Sequence, residues 1–236
     1  MNLRNPITNA PLPTAVDTIC AHWRAGGATS RNAGTGMHDT IELRCNWHGP
    51  GGVAPSLGAQ DSIELRQFAA YAELRRKEGW VPYRTEQRVF DGPHQLAGAV
   101  DMQWMREDGE RTPEGALVIL LADWKRSDKL SKPSYGEKGL GPLSAYDACP
   151  ASEYSLQLGL YRWVLERHHG VHVARMEIVA MHPNMEAAQI MEATMPRDVI
   201  DAVMQVRAEQ VRTGETIYKL RARLEREALP HGDDLR

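Results

Sequence analysis

The sequence predicts an α/β domain with a mixed central sheet flanked by helices, followed by a long C-terminal helical region. Two observations carry this. The first is the order of periodic segments: helical spacing, three strand-like runs, a helix, a fourth strand-like run, then more helix. A meander of three strands supplies antiparallel pairs, and a strand reached through a helical crossover supplies a parallel one. The second is the stretch from Ala116 to Lys125, ALVILLADWK, the most apolar run in the chain, which ends abruptly in charge. It is too short to span a bilayer and suits a buried strand.

Residues 1–13 form an irregular lead-in containing Pro6, Pro11 and Pro13. Thr14 starts a first helix, whose Val16, Ile19, Cys20 and Trp23 repeat at i, i+3, i+4, i+7. The glycine-containing stretch GGATSRNAGTG is expected to end it, and a second helix to begin near Gly36 with His38, Ile41, Glu42 and Cys45 on one face. Residues 46–60 read as loop from their Gly and Pro content. Asp61 or Ser62 then caps a helix with Leu65, Phe68, Ala69 and Ala72 on one side, ended by Gly79 after a basic last turn.

Strands are expected at Tyr83 to Phe90, Gln95 to Met105 and Ala116 to Lys125. A long polar segment from Arg126 to Ser152 has no period, and loops of that length are usually functional or mobile. Tyr154 to His168 is helical and Val171 to His182 is a strand stopped by Pro183. Pro196 opens helix to about Ala228, weakened at Gly214.

Composition narrows the function classes. The 236 residues contain 42% hydrophobic and 25% charged residues, as in soluble globular proteins. A formal net charge of -3 excludes a generic polycation, so nucleic acid would be met through a local basic surface or a metal. Cys20, Cys45 and Cys149 lie far apart without a C-x-x-C pair, which argues against a disulfide framework or a zinc knuckle. The N-terminus has no signal-type apolar core, and a cytoplasmic setting is expected (host cytoplasm if the source is viral).

The candidate chemistry sits at strand ends. Strand side chains alternate, so Asp123 and Lys125 share a face and Trp124 takes the other. Charges there are costly unless they pair or bind a metal, and an isolated D-x-K also fits a plain ion pair. Asp101 is a second carboxylate in apolar sequence, AGAVDMQW. If its strand neighbours that of Asp123, the two carboxylates and a nearby carbonyl form a hard oxygen site for Mg²⁺ or Mn²⁺. Glu86 lies on the preceding strand, where Arg84 and Arg88 could also simply pair with it. His168, His169 and His172 straddle a helix-to-strand step and read as structural or exposed.

The ordered set Asp101, Asp123-Trp124-Lys125, Tyr154, Gln157 and Tyr161, preceded by GTGMH with His38, resembles the PD-(D/E)XK nuclease superfamily. Within it the set is similar to the RecB-type branch, including uncharacterised viral and algal members. The resemblance runs from about Gly34 to Pro183. It implies a restriction-endonuclease-like core over 34–183, with 1–33 as lead-in and helix and 184–236 as a helical addition, all in one domain spanning 1–236. It implies one or two Mg²⁺ or Mn²⁺ ions ligated by His38, Asp101, Asp123 and the Trp124 carbonyl, with Glu86 as a candidate further ligand. Lys125 would be the catalytic lysine beside Asp123 and Asp101. Gln157, Tyr161, Tyr154, Arg126 and Lys129 would contact substrate.

The cysteines that hold an iron–sulfur cluster in some relatives are missing, so a cluster-free protein is expected. The implied activity is DNA phosphodiester hydrolysis, as an exonuclease or end-processing enzyme in replication, recombination or repair. A helicase or another replication or recombination protein would be its partner. A structure-specific or restriction-type endonuclease, or a non-catalytic nuclease-like binding module, remain the alternatives.

Overall fold

The computed structural model describes residues 15–46, 62–128, 130 and 133–228. The expected lead-in, the 46–60 loop beyond Asn46, and Lys129 and Lys132 lie outside the described residues, as do the side chains of Val16, Ile19 and Trp23.

Five strands form one mixed sheet in chain order: β1 (Trp80–Asp91), β2 (Leu96–Arg106), β3 (Leu117–Lys125), β4 (Val171–Ala180) and β5 (Gln189–Glu192). β1–β2 and β2–β3 are antiparallel, β3–β4 is parallel and β4–β5 is antiparallel. This is the meander and crossover expected from the order of segments. The sheet is flanked by α1 (Ala15–Cys45), α2 (Ile63–Lys77), α3 (Pro150–His168), α4 (Arg197–Thr213) and α5 (Ile217–Glu227). The architecture is compatible with a restriction-endonuclease-like core. No described helix is long and apolar enough to cross a membrane.

β3 is buried on both faces, as its unbroken apolar run demands. Leu117, Ile119 and Leu121 pack with Leu158, Val164 and Leu165 of α3. Val118, Leu120, Ala122 and Trp124 pack with Met37 and Ile41 of α1 and Leu65, Phe68 and Tyr71 of α2. Ser62 is the α2 cap, accepting from the Leu65 amide at 3.3 Å. At the other end Gly79 takes φ +82, a left-handed value that suits glycine after a helix.

Three expectations are corrected. GGATSRNAGTG does not break α1, which runs through it as one helix of 31 residues. Glycine weakens a helix by about 1 kcal/mol without forbidding it, and no proline occurs between Ala15 and Cys45 to remove a bond. The C-terminal helix is interrupted outright at Gly214, whose φ of +65 closes α4, and Thr216 caps α5 as a new start. Ile217 is 63% exposed, while Leu220 is the buried residue of α5. β5 was not anticipated: QIME is too short to show a period, and it is placed by pairing with Glu177 to Ala180.

Candidate metal centre and lysine site

The site lies at the end of the β2–β3 ladder, beside the β1–β2 pair. On β2, Val100 packs toward α3 but Met102 packs toward α1 and α2, although two residues apart should share a face. The strand changes faces at Asp101 while the register holds. On β1 opposite it, ladder pairs are Thr85 with Met102 and Gln87 with Val100, and between them Glu86 has φ +45. A non-glycine residue in that region costs on the order of 1–3 kcal/mol and persists only where the surroundings enforce it.

The β2–β3 ladder stops at Met102 opposite Ala122. Beyond it the Asp101 carboxylate takes over as acceptor, receiving the Trp124 amide at 2.7 Å. A strand residue's amide and carbonyl leave on the same side, so the Trp124 carbonyl also faces Asp101. The next carbonyl, of Lys125, turns the other way and accepts from Met181 at 2.9 Å.

α1 brings His38 to this point. Its Nδ1 lies 3.5 Å from Glu86 and 3.6 Å from Asp101. One ligating atom from each of His38, Glu86 and Asp101 falls within 4.8 Å of the others, a group able to hold a metal ion. His38 and Glu86 are half-buried, with side chains 27% and 31% exposed, so the group is reachable from solvent. A cavity of about 680 Å³ opens beside it, lined by Gly34, Thr35, Asp39, Glu42 and Arg88 among others.

Asp123 and Lys125 stand on the α3 side of the same strand end. Lys125 Nζ lies 2.6 Å from Asp123 Oδ2, which accepts no other hydrogen bond among the described residues. The ammonium sits over the Tyr154 ring at 4.6 Å and 3.5 Å from Gln157 Oε1. Gln157 in turn donates to the Tyr161 hydroxyl at 2.9 Å. Trp124 points to the opposite face, edge-on to Phe68 and Tyr71.

The carboxylates are under electrostatic stress. Burial, then the charge of Asp123, holds the Asp101 carboxyl well above the usual range. Burial also raises Asp123, and Lys125 pulls it only part of the way back. Glu86 is raised by burial and by Glu42 and Asp39 of α1, against the pull of His38. Burial opposes the Lys125 ammonium, but Asp123 and Asp101 outweigh it and keep the lysine above its ordinary value. A cation would relieve the carboxylates.

The structure thus gathers His38, Glu86 and Asp101 into one close group, with Asp123 beside it but drawn to Lys125. Gln157, Tyr161 and Tyr154 line the lysine. Arg126 is directed elsewhere, 2.8 Å from Glu64 at the start of α2. Glu86 meets His38 rather than its strand neighbours, Arg84 lying over the Tyr83 ring. His168 is bound to Asp91 at 2.8 Å and His172 lies 3.7 Å from Glu166, both remote from the site in the sequence of elements.

Sequence reasoning missed a buried charge network behind the site. Glu177 of β4 is fully buried and accepts from the Tyr71 hydroxyl at 2.6 Å. Arg75 and Arg175 pair with it, and both also reach Glu78. The only signal was a glutamate inside the strand pattern VHVARMEIVA, opposite an arginine-rich helix end.

The fold and the site define an α/β protein with a candidate divalent-cation group and a paired lysine at a strand end. No family model and no curated protein matches the chain. Among solved structures, a provisionally named exonuclease from Eubacterium rectale is similar at 14% identity and a TM-score of 0.35, over 65% of this chain and 54% of that one. A protein designated SSO0001 is similar at 13% identity and a TM-score of 0.27, over 64% of this chain and 58% of that one. The chain therefore spans just over half the length of either neighbour, and similarity of that depth carries no argument about activity.

Proposed function

We propose that the chain is a metal-dependent DNA nuclease of PD-(D/E)XK type, and within that an exonuclease or end-processing enzyme. The observation that supports this most is the convergence of His38, Glu86 and Asp101, from three elements, on the strand end that carries Asp123 and Lys125. One imidazole and several carboxylate oxygens form a donor set suited to Mg²⁺ or Mn²⁺. Asp123 and the Trp124 carbonyl border the same space and are the candidate remaining ligands.

A bound ion would supply Lewis acidity toward a phosphoryl oxygen and lower the pKa of a water. The chain's own residues do the rest. Lys125, held charged by Asp123, offers a fixed cation where negative charge develops on a pentavalent phosphorus. The carboxylates orient the water and hold its departing proton near the strand end. Tyr154 packs under the ammonium and fixes its height. A helicase or another replication or recombination protein is the chain's proposed partner.

The test is incubation of the purified protein with linear and closed circular DNA, in Mg²⁺, in Mn²⁺ and in chelator. Cutting of linear DNA alone supports the exonuclease, and cutting of circles turns the reading toward an endonuclease. If the wild type cuts nothing, or Asp123→Asn cuts equally well, the assignment fails and a non-catalytic binding module takes its place.

A further inference from the structure

Gly98 lies on β2, three residues before Asp101, with Ala99 and Val100 between them. A Cβ built there would meet Tyr161 at 2.5 Å from Cε1, 2.8 Å from the hydroxyl and 2.9 Å from Cζ. The aromatic ring is therefore seated directly on the backbone of β2, in space that any side chain at 98 would fill. The φ of Gly98 is not in the left-handed region, so the glycine is there for close approach and not for a turn. The ring cannot retreat easily, because Tyr161 packs against the core cluster beneath α3.

What the seated ring does follows from the next contact. The Tyr161 hydroxyl accepts from Gln157 Nε2 at 2.9 Å. A primary amide has one oxygen and one NH₂, so committing the nitrogen to Tyr161 turns Gln157 Oε1 to the other side. There it faces the Lys125 ammonium at 3.5 Å. Without the tyrosine acceptor the amide is free to flip and to present its own N–H groups to the ammonium, which repels it.

We propose that Gly98 is a positioning residue: by admitting Tyr161 it fixes the orientation of the Gln157 amide, which holds Lys125 in place beside Asp123. The proposal rests on the nuclease reading for its kinetic consequence, but the holding of Lys125 is a property of the folded chain. It also gives Gln157 and Tyr161 a task different from contacting substrate. They act on the lysine.

The variants are Gly98→Ala, Tyr161→Phe and Gln157→Leu, each alone, and the first two also combined with Gln157→Glu. A carboxylate has two equivalent oxygens, so in either orientation it faces Lys125 with an acceptor. Supporting residues of this kind typically matter by about 10-fold or more. Gly98→Ala, Tyr161→Phe and Gln157→Leu should therefore lower kcat about 10-fold with DNA affinity, measured in Ca²⁺ by fluorescence anisotropy, within twofold of wild type. Gln157→Glu should restore most of the loss in the Gly98→Ala and Tyr161→Phe backgrounds. Competitive amine labelling of Lys125, read by mass spectrometry without DNA, should rise several-fold in the single variants and fall back on adding Gln157→Glu.

Weakened DNA affinity with Lys125 labelling unchanged would overturn the proposal and return Gln157 and Tyr161 to substrate contact. Failure of Gln157→Glu to rescue either readout would overturn it too, leaving Gly98 a packing residue. If the wild type cuts no DNA but the labelling pattern holds, the nuclease reading falls and the positioning of Lys125 by Gly98 stands.

Discussion

Asp101→Asn should make the metal-free protein more stable while removing its response to metal. Asn keeps an oxygen able to accept from the Trp124 amide, so the hydrogen bond at 2.7 Å survives the exchange. What disappears is a buried negative charge one step beyond the last β2–β3 ladder pair, across from Asp123. Two like charges at a cross-strand spacing of about 5 Å repel by about 3 kcal/mol at an effective dielectric of about 20. Lys125, 2.6 Å from Asp123, cancels the larger part, which leaves about 1 kcal/mol. For a chain of this size that is a rise in Tm of about 2–4 °C.

The sign with pH follows from the direction of the shift. The Asp101 carboxyl is raised in the folded state, so folding is penalised once the pH exceeds the unfolded value of about 3.9, and increasingly until the folded value is passed. The gain from Asp101→Asn should be absent below about pH 4 and grow toward neutrality. Differential scanning calorimetry in chelator over pH 3.5–8, repeated with Mn²⁺ at about 1 mM, measures all of it; the wild type alone should gain Tm from the ion. A variant less stable than wild type at pH 7 in chelator, or one stabilised by Mn²⁺ as much as wild type, refutes the reasoning.

Glu86→Gln should weaken Mn²⁺ stabilisation as His38→Ala does, since both belong to the same close group; calorimetric titration with Mn²⁺ checks this. Glu177→Ala should cost about 3–5 kcal/mol in urea denaturation, because it strands Arg75 and Arg175 without their buried partner. Asp91→Asn should destabilise by about 1–2 kcal/mol at pH 7. Although burial works against it, the hydrogen bonds from His94 and His168 lower the Asp91 carboxyl to about 2, so its contribution is present above the unfolded value and is lost as pH falls from about 4 toward 2. Matched urea curves at pH 7 and pH 3 should show the difference shrinking. Gly214→Val should lower stability by about 1–2 kcal/mol, read from the urea midpoint, since its φ of +65 excludes a β-branched residue.

β1 to β4 are readable because each has a local cause. The run through β3 is apolar without interruption, and that is what a strand buried on both faces requires. The facing of Asp123 and Lys125 against Trp124 needs only the period of two. The helix α1 runs past its glycines because glycine ends a helix only where the chain takes a left-handed cap, as at Gly214, and none forms in GGATSRNAGTG. β5 depends on pairing with β4, and nothing inside QIME reports that.

At the site, Asp101, Asp123 and Lys125 stand out as charges in apolar sequence. Glu86 is legible only as a candidate beside two arginines, because its φ of +45 and its meeting with His38 depend on how α1 packs against β1. The Gln157 amide was visible only as a spacing from Tyr161. Its orientation depends on a glycine far away in sequence whose significance is the side chain it lacks. Arg126 looked like a free cation in a basic segment until α2 supplied Glu64.

The meeting of His38 with Glu86 and Asp101 bears on the mechanics of the chain. His38 belongs to a helix of 31 residues, whereas Glu86 and Asp101 belong to a hairpin. An ion shared among them would fasten that helix to the hairpin and close the whole stretch from His38 to Glu86 into a ring. Loop-closure entropy makes such a clasp more effective the longer the ring, because the open chain has more freedom to lose. Amide exchange along α1 near His38 should then slow in metal far more than exchange in β3, which the core already holds shut.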